Sequence, residues 1–499
     1  MELKFVRKPL QCLRPFFGQV HTQEQIQEIR LPDAYPDIGR ILGCWGKVLI
    51  RGKEWRSTAM AANGGVMAWV MYAPEDGTQS RIVDVWIPIQ CRWDFPDAME
   101  DGSMTLLPVL TNLDARGVSA RKIIVRCGVD TFAQAMSRAT LELAEVAEIP
   151  EDIQLMRKYY PVELPVEAGE KQVQLEELLS IPENLPPIHK IVHYDMMPTV
   201  SEQKVLSNRL VFKGQMLVKL AYMTEEGTIH DWETELPFSQ YAELDRDHSS
   251  NATAWVMPLM TAMEIEMDEM NQMQLRAGLA AQYTIFDRAI VDVIEDAYSP
   301  SRSVTPKIEQ LQLPSLLDSA QLELIAQAPL QDDINQILMV TPYSKYPSVR
   351  FDGDSRITKL EGQMQLLLHN EEGQMYSDSA AFDATVPFPS AAENQVSLWL
   401  GMPTKPEIIP GTDGATLRST FPASAQIYNG QSLAMVTELE IGEEYPEDPD
   451  RPSIILRRVG QEDLWTLAKR AGSTVAAIRQ ANQLEDEPED GQMLLIPLG

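Results

Sequence analysis

Apolar residues recur at every second position through most of this chain, the period of strands with one buried face. Between 210 and 222, Leu210, Phe212, Met216, Val218, Leu220 and Tyr222 share one face, and Lys213, Gln215 and Lys219 the other. The pattern occurs earlier at Val66, Ala68, Val70 and Tyr72, with Val83, Val85, Ile87 and Ile89 returning. It occurs again at Leu360, Met364, Leu366 and Leu368, with Phe382, Ala384, Val386 and Phe388 returning. Acidic-Gly turns join each pair, at Glu75-Asp76-Gly77, Glu225-Glu226-Gly227 and Glu371-Glu372-Gly373, which is a hairpin signal. These turns lie about 150 residues apart, a domain length, so the chain reads as a tandem array of domains and not as a solenoid of small units.

More strand-like sequence follows the first two hairpins, at Ile123 to Cys127, Met263 to Met267 and Gln274 to Ile285. Pro-bounded stretches precede them, Leu31 to Ile38 and Ile181 to Ile188. The expected fold class is mainly β: tandem all-β, sandwich-like domains over 20–150, 155–300 and 305–437, the third divergent. The acidic, Pro-containing segment from Glu438 to Arg451 is expected to be a solvated tether. A small unit over 452–499 completes the chain.

In that last unit the period changes. A strand at Ile454 to Leu456 precedes Leu464, Leu467 and Ala468, spaced for one helix face, and then Val475, Ile478 and Asn482 after an N-cap at Ser473-Thr474. Met493 to Pro497 reads as a closing strand. This β-α-α-β order resembles the LysM module. The likeness rests on the Leu464-Trp465 pair, the Ala468-Lys469-Arg470 run, the Val475, Ile478, Asn482, Leu484 spacing and the Gly491-Gln492-x-Leu494-x-Ile496-Pro497 ending. It implies two helices on one face of a two-stranded antiparallel sheet, and a groove for N-acetylglucosamine polymers such as peptidoglycan. The candidate groove residues are Gln461, Glu462, Asp463 and Leu464 on one side and Asn482, Gln483, Leu484 and Gly491 on the other. The family usually has Gly-Asp-Thr before the Leu-Trp pair, whereas this chain has Gln461-Glu462-Asp463 with Gly460 one place early. The second loop carries Glu485, Asp486, Glu487, Glu489 and Asp490, which suits a basic protein patch better than a glycan bearing acidic peptides.

The preceding array resembles the SPOCS domains of spore-forming Firmicutes. The Pro32-Asp33-x-x-Pro36-Asp37-Ile38-x-x-Ile41-Leu42 stretch carries the likeness in the first copy. In the second it is the Lys213-Gly214-x-Met216 to Gly227 core, followed by Leu236-Pro237-Phe238-Ser239-Gln240. With the LysM unit, the resemblance spans roughly residues 25 to 499. Together the two are similar to the SipL-like family of spore-coat morphogenesis proteins. That resemblance implies a scaffold without cofactor or enzymatic activity. It would work in the mother-cell cytoplasm at the forespore surface, joined to the coat ATPase, stage IV sporulation protein A. The alternative is a cell-wall protein whose LysM unit binds peptidoglycan.

Charge narrows the partners further. With 73 acidic against 42 basic residues the net charge is −31, which opposes binding to nucleic acid or to an anionic membrane surface. No apolar run reaches the length of a transmembrane helix, and the N-terminal stretch lacks the apolar core of a secretory signal. Cys12, Cys44, Cys91 and Cys127 form no C-x-x-C pair and read as buried, reduced thiols. His189 and His193 are four apart, but the stretch reads as a strand and lacks an intervening acid, so a structural role is expected over a metal site. Nucleophile-elbow and phosphate-loop motifs are absent from the sequence, so an enzyme is not expected. The methionines at 257, 260, 263, 267, 270 and 273 are read as core filler, with a protein-binding edge as the alternative. Trp465 is read as a core residue holding helix to sheet.

Overall fold

The computed structural model describes residues 2–146, 148–268, 272–330, 336–353, 355–370, 374–389, 395–411, 414–429, 432–446, 452–460 and 462–498. It is almost entirely β. After β1 (Glu2–Lys4) come β2 (Val6–Arg30), β3 (Ile38–Arg56), β4 (Ala59–Pro74), β5 (Arg81–Asp94), β6 (Gly102–Ser119) and β7 (Lys122–Glu145). β3-β4-β5 is an antiparallel meander, and β2-β7-β6 a second sheet in which the first strand pairs with the last.

The same six-strand pattern recurs in β8 (Gln154–Leu179), β9 (Lys190–Leu206), β10 (Arg209–Met223), β11 (Ile229–Glu243), β12 (Thr253–Met267) and β13 (Met273–Tyr298). Here the sheets are β9-β10-β11 and β8-β13-β12. A third occurrence has broken strands: β14 (Arg302–Gln312), β15 (Ser315–Pro329), β16 (Gln336–Ser344), β17 (Ser348–Asp352), β18 (Ser355–His369), β19 (Met375–Pro387), β20 (Gln395–Leu400), β21 (Glu407–Gly411), β22 (Gly414–Asn429) and β23 (Ser432–Glu444). Its first strand divides at Pro314, which has no N–H to give the ladder. β14 pairs with β23 and β15 with β22.

Period two decides which faces are buried. Leu210, Phe212, Met216, Val218, Leu220 and Tyr222 are all buried, as are Val66, Ala68, Val70, Tyr72 and Leu360, Met364, Leu366, Leu368. The turn glycines Gly77 and Gly227 have φ of 73° and 84°, the left-handed region that a side chain disfavours; the third turn, Glu371 to Gly373, lies outside the described residues. Within each meander a glycine lets its strand approach the neighbouring strand closely. A Cβ on Gly64, Gly214 or Gly362 would lie 2.0, 1.9 or 2.2 Å from the carbonyl oxygen of Leu49, Thr199 or Tyr343. The Pro-bounded stretches are loops clasped by tyrosines: the Tyr72 hydroxyl donates to the Pro36 carbonyl at 2.9 Å, and Tyr222 to Pro186 at 3.1 Å.

The long strands serve two cores. The C-terminal part of β2 and the N-terminal part of β7 cover the meander β3-β4-β5. The opposite ends meet their counterparts from the other two occurrences. There Phe5, Leu141, Leu164, Val291, Leu313 and Leu439 form one shared cluster. The first strand therefore begins at Val6, ahead of the boundary expected at 20. The expected tether is also corrected. Glu438 to Glu444 belong to β23, with Leu439 and Ile441 buried and Glu438 and Glu444 turned out toward Lys307 and Arg302. Residues 447–451 lie outside the described residues.

Three buried glutamines, Gln134, Gln282 and Gln426, occupy matching places in β7, β13 and β22, each after an alanine. Gln282 grips the Leu106 backbone of β6, and Gln134 donates to the Ser397 hydroxyl of β20 at 2.7 Å. The occurrences are thus stitched together by buried amides. All four cysteines are buried and free, and burial pushes the Cys12 and Cys127 thiols up to about 11. Met260, Met263 and Met273 are core residues, Met257 and Met267 are partly buried, and Met270 lies outside the described residues. Among the described residues no helix is long and apolar enough to cross a membrane.

His193 lies in β9, buried against Trp69 (5.1 Å between rings) and Trp45 (6.3 Å), while His189 precedes the strand and is exposed. Burial lowers the His193 pKa to about 4. The unfolded chain, titrating near 6.5, then binds a proton that the folded chain refuses. Stability should accordingly fall as pH drops from 6.5 toward 4, and the dependence should flatten below 4. In His193→Phe the slope over that window should shrink by about 2 kcal/mol in total, read from urea unfolding at pH 7, 5.5 and 4.5. An unchanged slope would mean that His193 is hydrated.

Candidate functional site

The C-terminal unit comprises β24 (Ile454–Arg458), α1 (Leu464–Ala471), α2 (Val475–Asn482) and β25 (Met493–Pro497), with β24 and β25 antiparallel. Asp463 caps α1 by accepting from the Thr466 N–H at 2.9 Å, and these bonds hold its carboxyl below the usual range. Gly472 ends the helix in the left-handed conformation, with φ of 66°. Thr474 caps α2, accepting from Ala477 N–H at 3.1 Å. Leu464, Leu467, Ala468 and Ile478 pack on Leu494 and Ile496 from the inner sheet face.

Most of the expected groove residues hold this unit together. Asn482 inserts its amide beside β25: its Oδ1 accepts from Leu495 N–H at 2.7 Å, and its Nδ2 donates to the Leu495 carbonyl at 2.6 Å. Gln483 is the left-handed cap of α2 (φ 53°), and Leu484 packs against the core. Leu464 is buried, Asp463 is the cap, and Glu462 is ion-paired with Arg470. Gly491 turns into β25 with φ of 87°. Gln461 lies outside the described residues. The two flanking loops are tied to each other by Glu487, which accepts from the Leu464 N–H at 3.3 Å and pairs with Arg479 at 2.9 Å. A carboxylate therefore links the two segments expected to flank the groove.

Trp465 packs at the edge of the unit's core and also reaches beyond it. Its ring meets Tyr298 edge-on at 4.8 Å, and its Nε1 donates to Asp296 Oδ2 at 2.9 Å, both at the end of β13. Lys469 pairs with Asp296 at 2.7 Å, and the Tyr298 hydroxyl donates to the Ser473 carbonyl at 3.0 Å. The unit is docked on the β body through α1. In Trp465→Ala, loss of the ring contact and of a charge-assisted hydrogen bond should weaken docking by about 2 kcal/mol. Hydrogen exchange at Tyr298 and at the start of α2 should then rise; exchange equal to the parent's would show that the dock does not depend on Trp465.

Docking through the helices leaves the other sheet face open. Ile454, Leu456, Met493 and Leu495 are 53, 62, 51 and 43 % exposed, and the strand register sets Leu456 opposite Leu495. Exposed acids at Glu485, Asp486, Glu489 and Asp490 follow in the loop entering β25. An apolar face bordered by these acids, with Arg458 opposite Met493 at its end, is chemistry for a protein surface that is apolar with basic surroundings. The groove reading overlooked this face. Its signal was present: β25 is apolar at both alternate positions, as is β24 through Leu456, yet the helices can cover only one face of a two-stranded sheet.

Neither the curated proteins nor the solved structures include a match to this chain. The four strands β9 to β12 do fall within a recognised family region: residues 187–267 match the family model described as SipL, SPOCS domain.

Proposed function

We propose that this chain is a non-enzymatic scaffold of spore-envelope assembly that binds a protein through the outer face of its C-terminal sheet. The SPOCS similarity over 187–267 supports a SipL-like, sporulation-related role. The observation that carries the reading is the exposed apolar face of Ile454, Leu456, Met493 and Leu495, fixed outward by the dock on β13. The C-terminal unit is read as a LysM module turned from glycan to protein. Its partner is the coat basement-layer ATPase, stage IV sporulation protein A, at the forespore surface on the mother-cell side. The three SPOCS-like stretches add further contacts, so that several weak sites on one chain raise the effective concentration of each.

Leu456→Glu combined with Leu495→Glu tests this. Both side chains are exposed, so the fold should persist while affinity for the ATPase falls about tenfold or more. Titration of the purified full chain against the ATPase reads it out. Undiminished affinity in the double variant would remove this face from the interaction.

A further inference from the structure

The three six-strand occurrences meet around a cavity of about 780 Å³. Its walls come from all three: β3 and β6 of the first, β9 to β12 of the second, and β16 with the 399–406 segment of the third. This volume is in the range that holds a small organic molecule. One side is apolar and aromatic, with Trp255, Met257, Met260, Met339, Tyr343 and Trp399. Methionines allow such a wall to adapt to its occupant.

Another part of the lining is charged. It is the face of the β9-β10-β11 meander turned away from that meander's own core. Lys405 pairs with Asp231 at 2.7 Å, with both side chains exposed at the mouth. Deeper in, Lys47 pairs with Asp195 at 3.0 Å. Burial works to raise the Asp195 pKa, but Lys47 and His193 beside it hold it lowered. Each of these lysines has its carboxylate. Lys219 differs: the strand register sets it between Asp195 and Glu233, whose charges act on it, yet among the described residues its ammonium makes no hydrogen bond and no close ion pair. Its ammonium is partly desolvated, and burial lowers its pKa against the attraction of Glu233 and Asp195. A half-buried cation with unused donors, facing an aromatic and methionine wall, is complementary to an anionic head carrying an apolar body.

We propose that this central cavity binds an amphipathic monoanion, a carboxylate with a medium-length hydrocarbon or aromatic body. The head bonds to Lys219 and the body lies against Trp255, Met257 and Trp399. Because the walls come from all three occurrences, such a ligand would also tie the array together. The site is separate from the C-terminal sheet face and does not depend on the function proposed for it.

The test uses the full chain and 8-anilinonaphthalene-1-sulfonate, a fluorescent amphipathic anion, with energy transfer from tryptophan as the readout. Saturable one-site binding is expected, displaced by decanoate and not by decanol or decylamine. Lys219→Met should weaken it about tenfold or more, the worth of one charge-assisted hydrogen bond. Lys213→Met, an exposed lysine on the same strand, should leave it unchanged. If Lys219→Met does not fold, Met257→Trp, which fills the apolar wall without altering charge, must produce the loss. Absence of saturable binding, equal displacement by decanol, or full affinity in both cavity variants would overturn the proposal.

Discussion

Gly214→Ala should lower stability by about 3 kcal/mol or more, a large effect for a single methyl group. The added Cβ would lie 1.9 Å from the Thr199 carbonyl oxygen and 2.7 Å from the Phe238 ring. Phe238 is a side chain in the core, whereas the carbonyl is backbone and has less freedom to shift. The carbonyl belongs to β9, held in register by Thr199 opposite Gln215 and Val200 opposite Gly214, with a bulge beside them. Relief would require β9 to leave β10, which would open the core of Phe212, Met216 and Val218. Gly77→Ala is the control. Nothing lies within 4 Å of its Cβ, and only the left-handed φ of 73° opposes it, at about 1 kcal/mol. Thermal melting of the two variants separates steric crossing from backbone strain; a Gly214→Ala midpoint equal to that of Gly77→Ala would show that the strands do not cross this closely.

The second large effect is expected at a junction between occurrences. Gln282 Oε1 accepts from the Leu106 N–H at 2.9 Å and Nε2 donates to the Leu106 carbonyl at 2.9 Å. Leu106 sits on β6, which pairs with β7 alone, so these are the free backbone groups of an edge strand. Lys53 also donates to Gln282 and pairs with Glu170 at 2.7 Å. Gln282→Leu keeps approximate volume but strands a buried N–H and C=O and removes a partner from Lys53. At about 1–3 kcal/mol for each unsatisfied group, a total of about 3 kcal/mol is expected. The Leu106 amide should lose protection from hydrogen exchange. A protected amide and an unaltered melting midpoint would contradict the stitch.

The three meanders were legible because period two marks the face packed on each meander's own core, although Trp69, Met71 and Leu367 on the other face are buried as well. Val66 to Tyr72, Leu210 to Tyr222 and Leu360 to Leu368 bury the side the alternation assigns them. Helix ends in the C-terminal unit were legible too, since Thr474 is the cap its position suggests. The tether was misread because charge was given more weight than alternation. Leu433, Met435, Leu439 and Ile441 keep period two straight through the acidic run and are buried. The start at Val6 was hidden for another reason. Phe5, Leu10 and Cys12 pack on residues from distant strands, and no local pattern announces a core assembled from three separate parts of the chain. The glutamine stitches had a faint signal, an Ala-Gln pair recurring at 133–134, 281–282 and 425–426, whose meaning depends on what lies opposite. The reach of Trp465 beyond its own unit was hidden because an aromatic residue on a helix packs equally well on its own core or on a neighbour, and only Tyr298 and Asp296 show that it does both.

The measurement that bears most directly on the scaffold reading compares two ligands for the full chain: purified peptidoglycan by co-sedimentation, and the coat ATPase by titration, each with the parent and with the Leu456→Glu, Leu495→Glu variant. Glu487 ties the two loops together, and the sheet face of Ile454, Leu456, Met493 and Leu495 is open. The account predicts saturable binding to the ATPase that the double variant weakens, and no pelleting with peptidoglycan. Saturable pelleting that N-acetylglucosamine oligomers compete away, together with ATPase binding indifferent to both substitutions, would contradict it.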